Sequence, residues 1–210
     1  MKAREIDIQA RVLEVAQALF LKKGYSNVTT DNIAFEAGIT KKTLYRYFIS
    51  KKEILDQVVS HVKNNLTNEI YSILLTEDLS FPEKLKKIIT AFAVSLSAIT
   101  TDFLADVQKN VPDVWKQINE FKRDTVTNHF SKLFDEGIKN GHINKNINKE
   151  FTILIFLSAI DNLFNPYFLK QLPQEIIKHI PNSANDILEG IFKVIYEGIL
   201  TDDTKQQYNN

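Results

Sequence analysis

The chain has 210 residues, 44% of them hydrophobic and 25% charged, a balance that suits a folded globular protein and excludes a disordered one. It contains no cysteine, which excludes disulfides, cysteine-ligated zinc and thiol catalysis together. The formal net charge of zero hides an asymmetry. Residues 1–52 carry ten Lys/Arg against five Asp/Glu, a surplus of +5 that the rest of the chain cancels. A basic N-terminal quarter on an acidic body is the footprint of nucleic-acid binding by one end.

Nearly every apolar stretch has the 3,4 spacing of an amphipathic helix, and no alternating strand pattern or Asn-Gly hairpin signal occurs. The fold class predicted is all-α, with about nine helices. In the first, Val12, Leu13, Ala16, Leu19 and Phe20 form one stripe, and Gly24 stops it. The second starts at Thr29-Thr30 and ends at Gly38. A third, about seven residues long, follows Thr40 and turns Leu44 and Phe48 inward. A long fourth helix has Ile54, Leu55, Val58, Val62, Leu66, Ile70, Ile73 and Leu74 in register and is long enough to connect two domains.

Ser80-Phe81-Pro82-Glu83 has capping-box spacing and opens a helix through Leu85, Ile88, Ile89, Phe92, Leu96 and Ile99. Asn110-Val111-Pro112 opens another, through Val114, Ile118, Phe121, Phe130, Leu133, Phe134 and Ile138, ended by Gly141. The segment from Phe151 to Phe164 is apolar nearly all round, which predicts burial on more than one side, and Pro166 bends or ends it. Ser183 precedes a closing helix with Ile187, Leu188, Ile191, Ile195 and Ile199, and a polar tail starts at Thr201. The domains expected are a helix-turn-helix head at 1–52 (motif 29–48), a connecting helix at 53–75, a ligand-binding and dimerisation domain at 76–200, and a flexible tail at 201–210.

Two short helices joined by a glycine turn, the second basic and aromatic, make a helix-turn-helix. Ile33, Ala34, Ala37, Ile39, Leu44 and Phe48 are its candidate core, and Gly38 permits the positive φ of the turn. At 100° per residue, inward Leu44 and Phe48 leave Lys42, Thr43 and Arg46 pointing away, with Tyr45 and Tyr47 on the flanks and Lys41 free on the first turn. Such a face suits the major groove: cations reach guanine edges or phosphates, and hydroxyls bond phosphates.

The run from Arg11 to Leu55 resembles the tetracycline-repressor (TetR) family signature. The matching residues are Ala16, Leu19-Phe20, Gly24-Tyr25, Thr29-Thr30, Ile33-Ala34, Ala37-Gly38, Thr43-Leu44-Tyr45, Phe48, Lys51 and Leu55. The resemblance implies an all-helical homodimer, a third helix that reads double-stranded DNA at a palindromic operator, and an effector pocket that controls DNA affinity. It implies that Thr29-Thr30 caps helix two and places a hydroxyl on a phosphate. Lys41, Lys42, Thr43 and Tyr45 then face the groove, and Tyr47 and Lys51 grip backbone phosphates. Two positions depart from the family pattern: Lys42 stands where a small residue is usual, and Tyr47 where histidine is common.

The four histidines, His61, His129, His142 and His179, have no metal-ligand spacing, and neither a phosphate loop nor a nucleophile elbow occurs. No metal, cofactor or enzymatic activity is expected. Asp161 lies in a strongly apolar run and is either paired at a dimer seam or a polar anchor in the effector pocket. With it, Phe92, Phe103, Trp115, Phe130, Phe134, Phe156 and Phe168 are the candidate lining of an apolar cavity between helices.

The expected function is a homodimeric repressor, dimerised through helices 151–164 and 183–199 and released from DNA by a small hydrophobic or amphipathic effector. An architectural or cell-division DNA-binding factor without effector is the alternative, and a helical carrier whose head has lost DNA binding is a further rival. No apolar run approaches the roughly 18–20 residues that span a bilayer. The opening Met1-Lys2-Ala3-Arg4-Glu5 has no apolar signal-peptide core, so a cytoplasmic protein without a membrane partner is expected.

Overall fold

The computed structural model describes residues 2–96, 99–163, 165–181 and 184–197. Among them the regular structure is helical: α1 (Lys2–Lys23), α2 (Thr30–Glu36), α3 (Lys41–Tyr47), α4 (Lys51–Leu75), α5 (Phe81–Leu96), α6 (Thr101–Asn110), α7 (Pro112–Asp124), α8 (Ser131–Lys139), α9 (Lys149–Leu163), the short α10 (Pro166–Leu169) and α11 (Gln174–Ile177), and α12 (Ala184–Glu197). A π-helical turn, Thr125–Phe130, joins α7 to α8 without a break, so the single long helix expected after Pro112 is present with a bulge inside it. No helix among the described residues is long and apolar enough to cross a membrane.

Local chemistry explains the boundaries. Gly24 adopts φ +81 and ends α1, and Gly38 adopts φ +63 between α2 and α3. Thr29, Thr40, Ser50 and Thr100 each cap the helix that follows, their hydroxyls accepting a backbone N–H at the third helical position. Pro112 sits in the first turn of α7, where its missing N–H costs nothing. The 25 residues of α4 make a rod about 37 Å long.

One buried cluster runs through the head and out of it. It joins Val12, Ala16 and Phe20 of α1 to Ile33, Leu44 and Phe48, to Ile54 and Leu55 of α4, and to Phe103, Leu104, Val107 and Val114 of α6 and α7. The buried cluster of the head expected at 1–52 therefore continues into the body, where α6, which the sequence reading did not identify, packs against it. A second cluster joins Val126 to Ile153, Phe156 and Ile160 of α9 and Ile187, Leu188 and Ile191 of α12. A third packs α4 on α5 around Leu66, Ile70, Ile88 and Leu133.

Helix α9 corrects one expectation. Within this chain it is buried on a single side, through Ile153, Phe156 and Ile160. Phe151, Leu154 and Ile155, on the other side, are 62%, 58% and 47% exposed. Among the described residues, α10, α12, α8 and the π turn lie against this helix, and they leave that apolar side uncovered. Phe164, Ser183, Ile199 and the tail from Thr201 lie outside the described residues, and nothing is described of the Ile195 side chain.

Candidate nucleic-acid interface and internal cavity

The helix-turn-helix is held by its caps. Thr29 and Asn32 form a reciprocal box: the Asn32 N–H donates to the Thr29 hydroxyl at 3.1 Å and the Thr29 N–H to Asn32 Oδ1 at 3.0 Å. The Thr29 hydroxyl also donates to Asn32 Oδ1 at 2.9 Å, so its single donor is spent inside the chain. Across the turn, the Ile39 N–H reaches Ala34 O at 3.0 Å. Thr40 caps α3 by accepting the Thr43 N–H at 3.1 Å, and the two threonine hydroxyls share a 2.9 Å contact.

On α3 the inward positions are as expected, with Leu44 and Phe48 buried, while Lys42, Arg46 and Tyr45 stand exposed and Tyr47 is half-buried against the core. Lys42 and Arg46 form no salt bridge among the described residues. Lys41 does: its Nζ lies 2.7 Å from Asp31 Oδ2, and this bond raises its pKa. The Tyr45 hydroxyl lies 3.2 Å from that of Thr30, tying α3 to α2. Phe35 and Ile49, both strongly exposed, flank the same motif and were not singled out from sequence.

Lys51 is placed differently from its expected role. Its Nζ turns back into the head, donating to Tyr25 O at 2.9 Å and Val28 O at 2.8 Å, and lies 4.2 Å from the centroid of the Tyr25 ring. Burial pushes its pKa down, against an upward pull from Asp106. Two of its three donors are thus spent fixing the loop before α2, which leaves little of the ammonium for a phosphate.

Beside the head, α1, α4 to α9 and α12 enclose a cavity of about 380 Å³, within the range of small-molecule sites. Of the aromatic candidates, Phe92, Phe103, Trp115, Phe130 and Phe156 line it. Phe134 and Phe168 do not, and neither does Asp161, which instead pairs with Lys122 at 3.0 Å. Phe121, Phe192 and His129 line the cavity without having been expected there. His129 and its neighbours Thr125, Val126 and Phe130 reach the wall because a π turn is wider than an α turn and brings more residues per turn to one face. Burial, and then Lys132, hold the His129 pKa below its ordinary value; its ring stands edge-on to Tyr71 at 4.7 Å, and its buried Nδ1 has no hydrogen-bond partner among the described residues.

The two regions share a wall: Phe20 of α1 and Leu55 and Val58 of α4 line the cavity and belong to the head's buried cluster, and α6 does the same. On α6, Phe103 and Leu104 line the cavity and belong to the head's buried cluster. One turn on, Asp106 Oδ2 accepts the Ser26 N–H at 2.8 Å and the Ser26 hydroxyl at 3.1 Å, holding the loop between α1 and α2.

Residues 12–58 match the family described as bacterial regulatory proteins, tetR family. Over those residues the chain carries a tetR-family DNA-binding head. It is 24% identical over 193 residues to the HTH-type transcriptional regulator YvaF of Bacillus subtilis, covering 92% of this chain and 96% of that one. Its fold matches a TetR/AcrR-family regulator from Thermobifida fusca with a TM-score of 0.65 at 19% identity, over 93% of this chain and all of that one. It also matches the regulator FadR of Bacillus subtilis, solved in complex with stearoyl-CoA, with a TM-score of 0.60 at 20% identity, over 91% of this chain and 99% of that one. With that head it is a DNA-binding transcriptional regulator, and the proteins it is similar to are regulators.

Proposed function

We propose that this regulator is a homodimeric repressor whose α3 reads a palindromic operator and whose cavity takes a hydrophobic or amphipathic effector that releases it. The DNA-binding reading is carried by the exposed Lys42 and Arg46, opposite a core edge of Leu44 and Phe48. Thr43 and Tyr45 add base or backbone contacts, Thr30 and Tyr47 hydroxyls contact phosphates, and Lys41 exchanges Asp31 for DNA. Thr29 and Lys51 act by building the head rather than by touching DNA.

The effector reading is supported by a 380 Å³ cavity with a mainly apolar lining, and by the likeness in fold to a protein solved with a long acyl chain bound. That cavity favours it over an effector-free architectural factor. Helix α6 gives a ligand a lever: a shift of Phe103 or Leu104 moves Asp106 and with it the Ser26 loop. A ligand that binds released and DNA-bound geometries differently then shifts their populations. The exposed stripe of Phe151, Leu154 and Ile155, beside α12, is the proposed dimer face. It would set the two heads at a fixed spacing.

The test is binding to an operator library at two salt concentrations. Lys42→Ala should relax discrimination at one base position per half-site, by about 1–3 kcal/mol if the lysine reaches guanine. A loss of affinity uniform over all sequences would make Lys42 a phosphate contact and put base reading on Lys41, Thr43 and Tyr45.

A further inference from the structure

The charges on the cavity wall are of one sign. Its charged residues are Lys63 and Lys122, and no aspartate or glutamate lines it among the described residues. Lys122 has a counter-ion in Asp161, outside the wall, 3.0 Å from its Nζ. Lys63 forms no salt bridge among the described residues, and its Nζ lies 5.5 Å from the centroid of the Phe121 ring, itself part of the wall. His129, kept below its ordinary pKa by burial and by Lys132, adds no charge near neutral pH.

An aromatic cavity is often suited to a cationic ligand, since ring faces attract ammonium groups. Here the protein's own cations take that place. Lys63 lies over Phe121, and Lys122 lies 5.7 Å from the centroid of Trp115. A cationic ligand would meet two ammonium groups and no carboxylate among the described residues of the wall, whereas an anion would meet in Lys63 a cation without a salt bridge among them. The opposite requirement, an apolar body, is met by the rings of Phe130, Phe156 and Phe192, whose centroids lie 4.8 to 6.1 Å apart.

We propose that the cavity selects an amphipathic anion, a hydrocarbon body ending in a carboxylate, and that Lys63 is the cation that receives its head. This rests on the reading of the cavity as an effector site and specifies the charge of the effector. Lys63 is half-buried, so its attraction is less screened than that of a surface lysine.

The test uses the full chain and its single tryptophan, Trp115, which lines the cavity and reports occupancy by its fluorescence. Dodecanoate, dodecanol, dodecyltrimethylammonium and dodecanoyl-CoA are titrated below their micelle thresholds at pH 8, where histidine is ordinarily neutral. Dodecanoate should bind at least about tenfold more tightly than either dodecanol or the ammonium, the worth of one charge-assisted contact. Lys63→Met should bring dodecanoate and dodecanol together, Lys63→Glu should reverse the preference between anion and cation, and Lys63→Arg should preserve it. Circular-dichroism melts confirm that each variant is folded.

Equal binding of dodecanoate and dodecanol by the wild type, or a preference that survives Lys63→Glu, would overturn the proposal while leaving an effector site in place. Tight binding of dodecanoyl-CoA without dodecanoate would put the recognised charge on phosphate and overturn the carboxylate assignment. If none of the four probes changes the Trp115 signal, the effector reading itself fails with it.

Discussion

Replacing Lys51 with methionine separates a lysine that builds the head from one that holds DNA. The substitution keeps most of the stem and removes two ammonium hydrogen bonds, of 2.9 and 2.8 Å, together with a ring contact at 4.2 Å. A net hydrogen bond to a charged group is worth about 1.5–3 kcal/mol and an exposed cation–π contact about 0.5–1 kcal/mol. Desolvation of the ammonium offsets part of this, as the downward push on its pKa shows, and the site is only half-buried. A destabilisation of about 2 kcal/mol is the expected balance. For a chain of this size that lowers Tm by about 4–8 °C.

The assays are thermal unfolding and the salt dependence of binding to non-specific duplex DNA. Each lysine that leaves a phosphate should reduce the slope of log K against log salt by about 0.9. With the ammonium turned inward, the slope should stay unchanged while Tm falls. A reduced slope with Tm intact would show that Lys51 swings out onto phosphate in the complex, and the structural role argued for it would be wrong.

Three further outcomes are expected. Because the folded-state pKa of His129 is depressed, its contribution to stability is present above the ordinary histidine pKa, near 6.5, and is lost as pH falls through the folded-state value. Wild type should therefore lose more unfolding free energy between pH 7.5 and 5.5 than His129→Phe does, and equal losses in urea titrations would count against it. Asp106→Ala removes both bonds to Ser26 and should cost about 1–2 kcal/mol in urea unfolding; it should also expose the Gly24–Ser26 amides to faster hydrogen exchange, and protection equal to wild type would deny the clamp. Leu154→Glu puts a charge into the exposed stripe of α9 and should convert a dimer to a 24.2 kDa monomer in sedimentation at micromolar concentration, whereas a persistent dimer would place the interface elsewhere.

The head was legible in the sequence because its determinants are local. Caps at Thr29 and Thr40, a glycine at the turn and a 3,4 apolar spacing act within a few residues of one another, and the inward Leu44 and Phe48 fix which face of α3 is outward. What a long side chain does with its free end is not local. Lys51 reads as a cation on a helix N-terminus, and only the return of the chain at Tyr25 and Val28 supplies the carbonyls that turn it inward. For the same reason Lys41 reads as free until Asp31 is brought beside it.

In the body, apolar periodicity established helices but could not say which aromatic rings meet solvent-sized space and which meet one another. Phe134 and Phe168 have the same pattern as Phe130 and Phe156, yet only the second pair lines the cavity. Helix α6 is only ten residues long, and the spacing of Phe103, Leu104 and Val107 could not say that it would join head and cavity. The π turn is invisible to a 3.6-residue period by its nature, since it departs from that period. Sequence alone determined the all-helical class, the helix-turn-helix and the outward face of its second helix, because neighbours along the chain decide those. Tertiary structure alone decided the cavity wall, the inward lysine and the unburied side of α9, because each depends on which distant segment arrives opposite.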